Sequence, residues 1–219
     1  MKALVYRLWQ MLLGWGFVGL VYNISDRWQG AGHQLTPGWV DRLIPFSPHA
    51  IWLYLSFFLI IPLSYLLCPA CRLRWLRSSM QLSALLAGAI YLLWPTTIDY
   101  PIAQSASLSA SLLAVLIDID SKQNCLPSLH IALTVLAVWV MLDSRRKLRN
   151  LLLVAWGLAI AFSIVQLRRH LFVDALGGAG LALAVGLACQ RVKWISSRLC
   201  PLIARGAVAD PKARYQGGG

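Results

Sequence analysis

The 219-residue sequence predicts an all-α protein: a polytopic six-transmembrane helix bundle with one extracytoplasmic interfacial helix. Three observations predict it. Hydrophobic residues make up 58% of the chain, charged residues 13%, and mean hydropathy is +0.64, which is more apolar surface than a soluble domain can hide. The apolar residues gather into six runs, each near the length a helix needs to cross a bilayer. The basic residues lie between those runs and are shared unequally between the two sides.

Taken in order, the first run, Leu8–Ile24, follows a basic start, and no small-residue cleavage site comes after it. It reads as a retained span rather than a cleaved leader. Ala50–Leu67 and Met80–Pro95 are the second and third spans. Between them, Cys68 and Cys71 form "CPAC", and two further ligands for a zinc site are missing nearby. The five cysteines suggest no disulfide framework, and no metal or other cofactor is expected. The stretch Ala103–Ile117, "AQSASLSASLLAVLI", is uncharged but short and Ser-rich, so it reads as an interfacial or re-entrant helix. Leu126–Leu142, Leu151–Leu167 and Leu171–Gln190 complete the six. In the last, Gly178, Ala182 and Gly186 recur every four residues, a small-residue stripe that permits close helix packing. Residues 1–199 form the membrane domain, and residues 200–219 a basic tail suited to anionic lipid head groups.

The net charge is +12. Because the basic residues cluster between apolar runs, this charge reads as membrane orientation, and nucleic acid is not an expected partner. With the N-terminus inside, fifteen Lys and Arg fall on the inner side and five on the outer, which favours a cytoplasmic N- and C-terminus. From His130 the chain crosses inward, turns through "DSRRKLRN" and crosses back to His170, so the two histidines face one side, the outer one.

Ionisable residues at membrane depth are functional candidates by default. His130, Arg168, Arg169, His170 and Asp174 qualify, although any one alone could be a helix-end anchor. His170 and Asp174 are four residues apart and share a helical face. An Asp that accepts from one ring nitrogen fixes the tautomer and frees the other nitrogen as nucleophile or base. A guanidinium fork suits phosphate oxygens; Arg168 is the expected site arginine and Arg169 the residue that snorkels to head groups. In "NCLPSLH", Pro127 suits a first helical turn. The amides of Ser128 and Leu129 would then lack helical partners and point at an anion. The two segments read as halves of a phosphate cradle, one bearing an acid and the other a nucleophile.

"PSLH" followed at this distance by "HLFVD" resembles the type 2 phosphatidic acid phosphatase superfamily. "DRLIPFSPHAIWLYLS" and "YLLWPTT" are similar to its inositol phosphorylceramide synthase-like branch. The resemblance spans residues 38–185 and implies a six-helix bundle and metal-independent chemistry. It further implies that His170 attacks phosphorus to form a phosphohistidine, Asp174 orients it, and His130 protonates the leaving oxygen. The phosphatase branch's Lys-x6-Arg-Pro motif is missing, and Ser163 is followed by Ile164 where that branch has Ser-Arg. The cationic clamp must come from elsewhere: Arg168 and Lys122 first, then Arg27 and Arg42.

The expected function is an outer-face lipid phosphatase of the cytoplasmic membrane, acting on a membrane lipid phosphate. A lipid phosphotransferase is the main alternative. Its acceptor pocket would be built from Asn23–His49 and Pro95–Leu126, with Trp28, Trp39, Asp99, Tyr100 and Asn124. A transporter or scaffold is a third reading, without the internal repeats that transporters often show.

Overall fold

The computed structural model describes residues 1–101 and 107–196, with side chains to residue 191. The proposed basic tail, residues 200–219, lies outside the described residues. Among those described, five helices are long and apolar enough to cross a membrane: α1 (Lys2–Trp28), α3 (Pro48–Leu67), α4 (Ala70–Leu93), α7 (Lys147–Gln166) and α8, whose apolar part is Phe172–Arg191. The shorter elements are strand β1 (His33–Gln34), helix α2 (Trp39–Leu43), strand β2 (Thr96–Thr97), and helices α5 (Leu108–Ile119) and α6 (Leu129–Met141).

The first expected span lengthens to Lys2–Trp28, and the third and fourth also change bounds. The third begins earlier, so that Arg72, Arg74 and Arg77 sit in the first turns of α4 rather than in a loop. Leu73, Leu76, Met80, Ala84, Ala87 and Tyr91, spaced by three or four residues, are all fully buried, and this apolar face carries the helix through the charged turn. The fourth is shorter: α6 has 13 residues, about 20 Å of helix. It packs against α3, α4, α7 and α8. Apart from His130, Val135 and Trp139, all its residues are buried. A helix that is apolar all round belongs in the middle of a bundle, and α6 is its central post. Of the expected interfacial helix, residues 103–106 lie outside the described set. The remainder forms α5, whose first turn is capped by the Ser107 hydroxyl accepting from the Ala110 amide at 3.2 Å.

Apolar burial alone does not drive helices together in lipid, so close packing and polar bonds must do so. α1 contains a π turn at Leu12–Gly16, and Gln81 Nε2 of α4 donates to the Leu13 carbonyl within it at 2.8 Å. The Trp75 indole donates to the Gly186 carbonyl at 3.0 Å. Arginines close helix C-termini at the basic face. Arg7 donates to the carbonyls of Tyr65 and Cys68, both at 2.8 Å. Arg72 donates to Leu142 at 2.8 Å, and Arg149 to Met141 at 2.6 Å. Each satisfies carbonyls that a helix end leaves open and complements its dipole.

The small-residue stripe of α8 lies against α6. A Cβ on Gly178 would collide with the Ser128 carbonyl oxygen, and one on Gly186 with the Trp139 ring. Since the obstacle at Gly178 is backbone, Gly178→Ala is expected to lower the thermal midpoint in detergent, by the equivalent of about 1–3 kcal/mol. An unchanged midpoint would rule out so close an approach.

At the opposite face three loops are knitted together. β1 pairs in parallel with β2, His33 with Thr96 and Gln34 with Thr97, and Thr96 also bridges to Asn124. The Thr96 hydroxyl accepts from the Leu126 amide at 2.9 Å. This clasp fixes the segment leading into α6.

Candidate active site

His130 sits in the first turn of α6 and His170 just ahead of α8. Their ring centroids are 5.8 Å apart. His130 Nε2 is 2.9 Å from the Tyr54 hydroxyl, and its ring packs edge-on against Phe57 at 4.8 Å. His170 is buried, and its Nδ1 lies 3.6 Å from Asp174 Oδ2. That is longer than a hydrogen bond. Asp174 is fully buried, and Oδ2 accepts from the Leu171 amide at 2.8 Å. Among the described residues, His170 Nδ1 and Asp174 Oδ1 have no hydrogen-bond partner. The i, i+4 spacing thus holds the pair in register through a backbone bond to the carboxylate.

The two arginines take different partners, and the reason is local. α7 closes in a Schellman motif: the Arg169 amide donates to the Ile164 carbonyl at 3.1 Å and the Arg168 amide to Val165 at 3.0 Å. Arg168 takes the left-handed position at φ 53°, where glycine is the usual occupant. Arg168 Nη2 then donates to the Ile44 carbonyl at 2.8 Å, and its Nη1 is unpartnered among the described residues. Arg169 was expected at the interface but is buried, at 3% exposure. Its Nη2 is 2.7 Å from Asp120 Oδ2, and its guanidinium stacks over the Tyr100 ring at 4.7 Å. Arg169 Nε and Nη1 are buried without partners among the described residues.

The "PSLH" expectation needs correction in two respects. Pro127 precedes the first turn, because Ser128 is the N-cap and its hydroxyl accepts from the Ile131 amide at 3.4 Å. The Ser128 amide does not point at an open anion site; it donates to the Asp174 carbonyl at 3.0 Å. Leu129 is buried at the head of α6. Asn124 is buried too, with Nδ2 donating to the Tyr22 carbonyl at 3.2 Å, and so belongs to the clasp. Lys122 is exposed on the rim, and its carbonyl accepts from the Thr97 hydroxyl at 2.7 Å.

Four side chains escaped the sequence reading. Asp120 is the hub: Oδ1 accepts from the Tyr22 hydroxyl at 2.7 Å while Oδ2 pairs with Arg169. Burial alone would raise its carboxyl pKa. The nearby His130 and Arg169, with the Tyr22 hydrogen bond, outweigh that and hold it below the ordinary value. The rule that singles out ionisable residues at membrane depth applies equally to an Asp ending an apolar helix, and that signal was present in "LIDID". Tyr22 and Tyr54 carry no comparable mark. Asp41 is buried and accepts from the Gly38 amide at 2.9 Å and the Phe172 amide at 2.8 Å, capping α8 beside the histidine.

Comparison with curated proteins gives no match, and comparison with solved structures gives none either. A family model does match, across residues 25–188 and so across both histidines, Asp120, Arg169 and Asp174. On that span the chain belongs to the PAP2 superfamily, whose members are phosphatases or related phosphotransferases.

Proposed function

We propose that the protein is an integral membrane lipid phosphatase, hydrolysing a lipid phosphoester through a phosphohistidine on His170. The observation that carries this reading is the apposition of His130, at the head of α6, and His170, in the turn before α8, 5.8 Å between ring centroids, with Asp174 beside one ring and Tyr54 beside the other. Asp174 Oδ2 stands 3.6 Å from Nδ1 of His170, and closing that gap to a hydrogen bond when substrate binds leaves Nε2 with the lone pair that attacks phosphorus. The P–O bond to the lipid alcohol breaks as His130 gives its proton to that oxygen. Water then attacks the P–N bond, His130 takes a proton from it, and inorganic phosphate leaves with His170 restored.

Arg169 Nε and Nη1 are two unused buried donors, and Arg168 Nη1 is a third. They take the place of the missing motif arginines as phosphate clamp. Leu129 offers its amide at the head of α6. Lys122 draws the anion to the rim, while Ser128 and Asn124 shape the site without touching phosphate. Purified protein given a lipid monophosphate alone should release inorganic phosphate. Turnover only after an alcohol is added, with phosphate transferred to that alcohol, would replace hydrolysis by phosphotransfer.

In this reading α6 is the fourth of six spans, completed by the extended residues at both its ends. The arginine-capped face is cytoplasmic, both termini are inside, and α5 lies on the outer surface. A single cysteine at the exposed position Asp99 should then react with an impermeant thiol reagent in intact cells, and one at exposed Ser144 should not. The opposite pattern would place the chemistry in the cytoplasm.

A further inference from the structure

His130, one of the histidine pair, also lines a cavity of about 170 Å³ between α1, α3 and α6. Its two ends differ in chemistry. Asp120 and His130 line the end nearest the reacting groups, and Trp15, Phe58 and Leu133 line the other, with Gly19 between them. The apolar end is open to the bundle's outer surface. Phe58 is 44% exposed, and the adjoining Leu12 and Leu20 are 59% and 57% exposed. The π turn of α1 carries Trp15, whose ring faces Phe58 at 6.2 Å and forms the floor. The carboxylate at the polar end does not repel a phosphate on balance, because Arg169 and the Tyr22 hydroxyl already engage both its oxygens.

A polar head end, an apolar floor and a lateral opening match an amphiphile with one charged end. Building on the phosphatase reading above, we propose that this cavity seats the hydrocarbon chain of the lipid phosphate next to its head group. Gly19 is the residue that sets how bulky that chain can be. The volume is about six water-sized spaces, which suits a single chain and not two side by side. The substrate class that follows is a lipid monophosphate with one chain attached at the phosphate-bearing carbon. A larger groove of about 470 Å³ among α6, α7 and α8 is no rival, since no titratable side chain lines it.

Gly19 makes the proposal testable without disturbing the bundle. Gly19 lines the cavity, and a Cβ there meets nothing within 4 Å, so a larger side chain can be added at the cavity wall without striking a neighbour. The series Gly19→Ala, Gly19→Leu, Gly19→Phe should lower the ratio of kcat/KM for dodecyl phosphate over methyl phosphate progressively, by at least about tenfold at Phe. A ratio unmoved across a folded series overturns the proposal. Photolabelling with a dodecyl phosphate carrying a mid-chain diazirine reads the same cavity without turnover. Label should fall on residues 15–22 and 57–58 of the wild type, and Gly19→Phe should lose it. Label confined to the α6, α7 and α8 groove, or undiminished in Gly19→Phe, overturns the proposal. If the wild type is labelled in the cavity yet releases no phosphate, the binding site stands and hydrolysis falls.

Discussion

Replacing His170 by alanine is expected to abolish turnover, with a loss of at least about a thousandfold in kcat. Unassisted phosphomonoester hydrolysis is among the slowest of biological reactions. A site that has lost its nucleophile retains only clamps and an acid, which cannot make up the difference. Incubation with a radiolabelled lipid phosphate followed by a rapid quench should trap an acid-labile, base-stable phosphoenzyme in the wild type and none in the variant. His130→Ala should behave differently. Its loss should be severe for a lipid alcohol leaving group and much milder for 4-nitrophenyl phosphate, whose leaving oxygen needs no proton. A folded His170→Ala protein that keeps a tenth of the wild-type rate, or still traps phosphate, would remove His170 as the nucleophile.

The second large effect is expected at Arg169. Its side chain is 2% exposed and that of Asp120 14%. Arg169→Met therefore leaves a buried carboxylate with no cation paired to it, only the Tyr22 hydroxyl and the Ser121 amide, both on Oδ1. Breaking one partner of a buried pair costs about 3–5 kcal/mol, so the single variant should be strongly destabilised. Asp120→Leu added to it removes the orphaned charge and should restore most of the thermal midpoint, because buried pairs are often replaceable by apolar residues of similar size. If Arg169 is also the phosphate clamp, activity should stay lost in the double variant. Full recovery of both would reduce Arg169 to a structural counter-ion. The pair also has a pH signature. The folded-state pKa of Asp120 is lowered, so its stabilisation is present above the unfolded value, about 3.9, and is lost as pH falls through the lower folded one.

The features that could be read from sequence were those that repeat at short range. The apolar faces of α4 and α8 follow the 3.6-residue period of a helix; His170 and Asp174 are neighbours at the expected spacing, but across the turn that opens α8 rather than on one helical face. The length of α6 was not legible. "LHIALTVLAVWVM" looks like any span, and only its neighbours reveal that it is enclosed on all sides. The directions of Arg168 and Arg169 were also hidden. They depend on a helix-closing turn that usually announces itself with glycine, and here the left-handed position is filled by arginine. The Asp120 pairing joins residues 49 positions apart, beyond the reach of any local pattern.

The arginines that close the helices at the basic face carry a practical consequence. In the proposed orientation Arg7, Arg72 and Arg149 each contribute a charge to the inner side, and each also binds carbonyls of a neighbouring chain segment. Deleting one to probe insertion direction would therefore perturb two properties together, and a misfolded product could pass for an inverted one. Lysine at the same positions separates them, because it keeps the charge while giving up the planar fork.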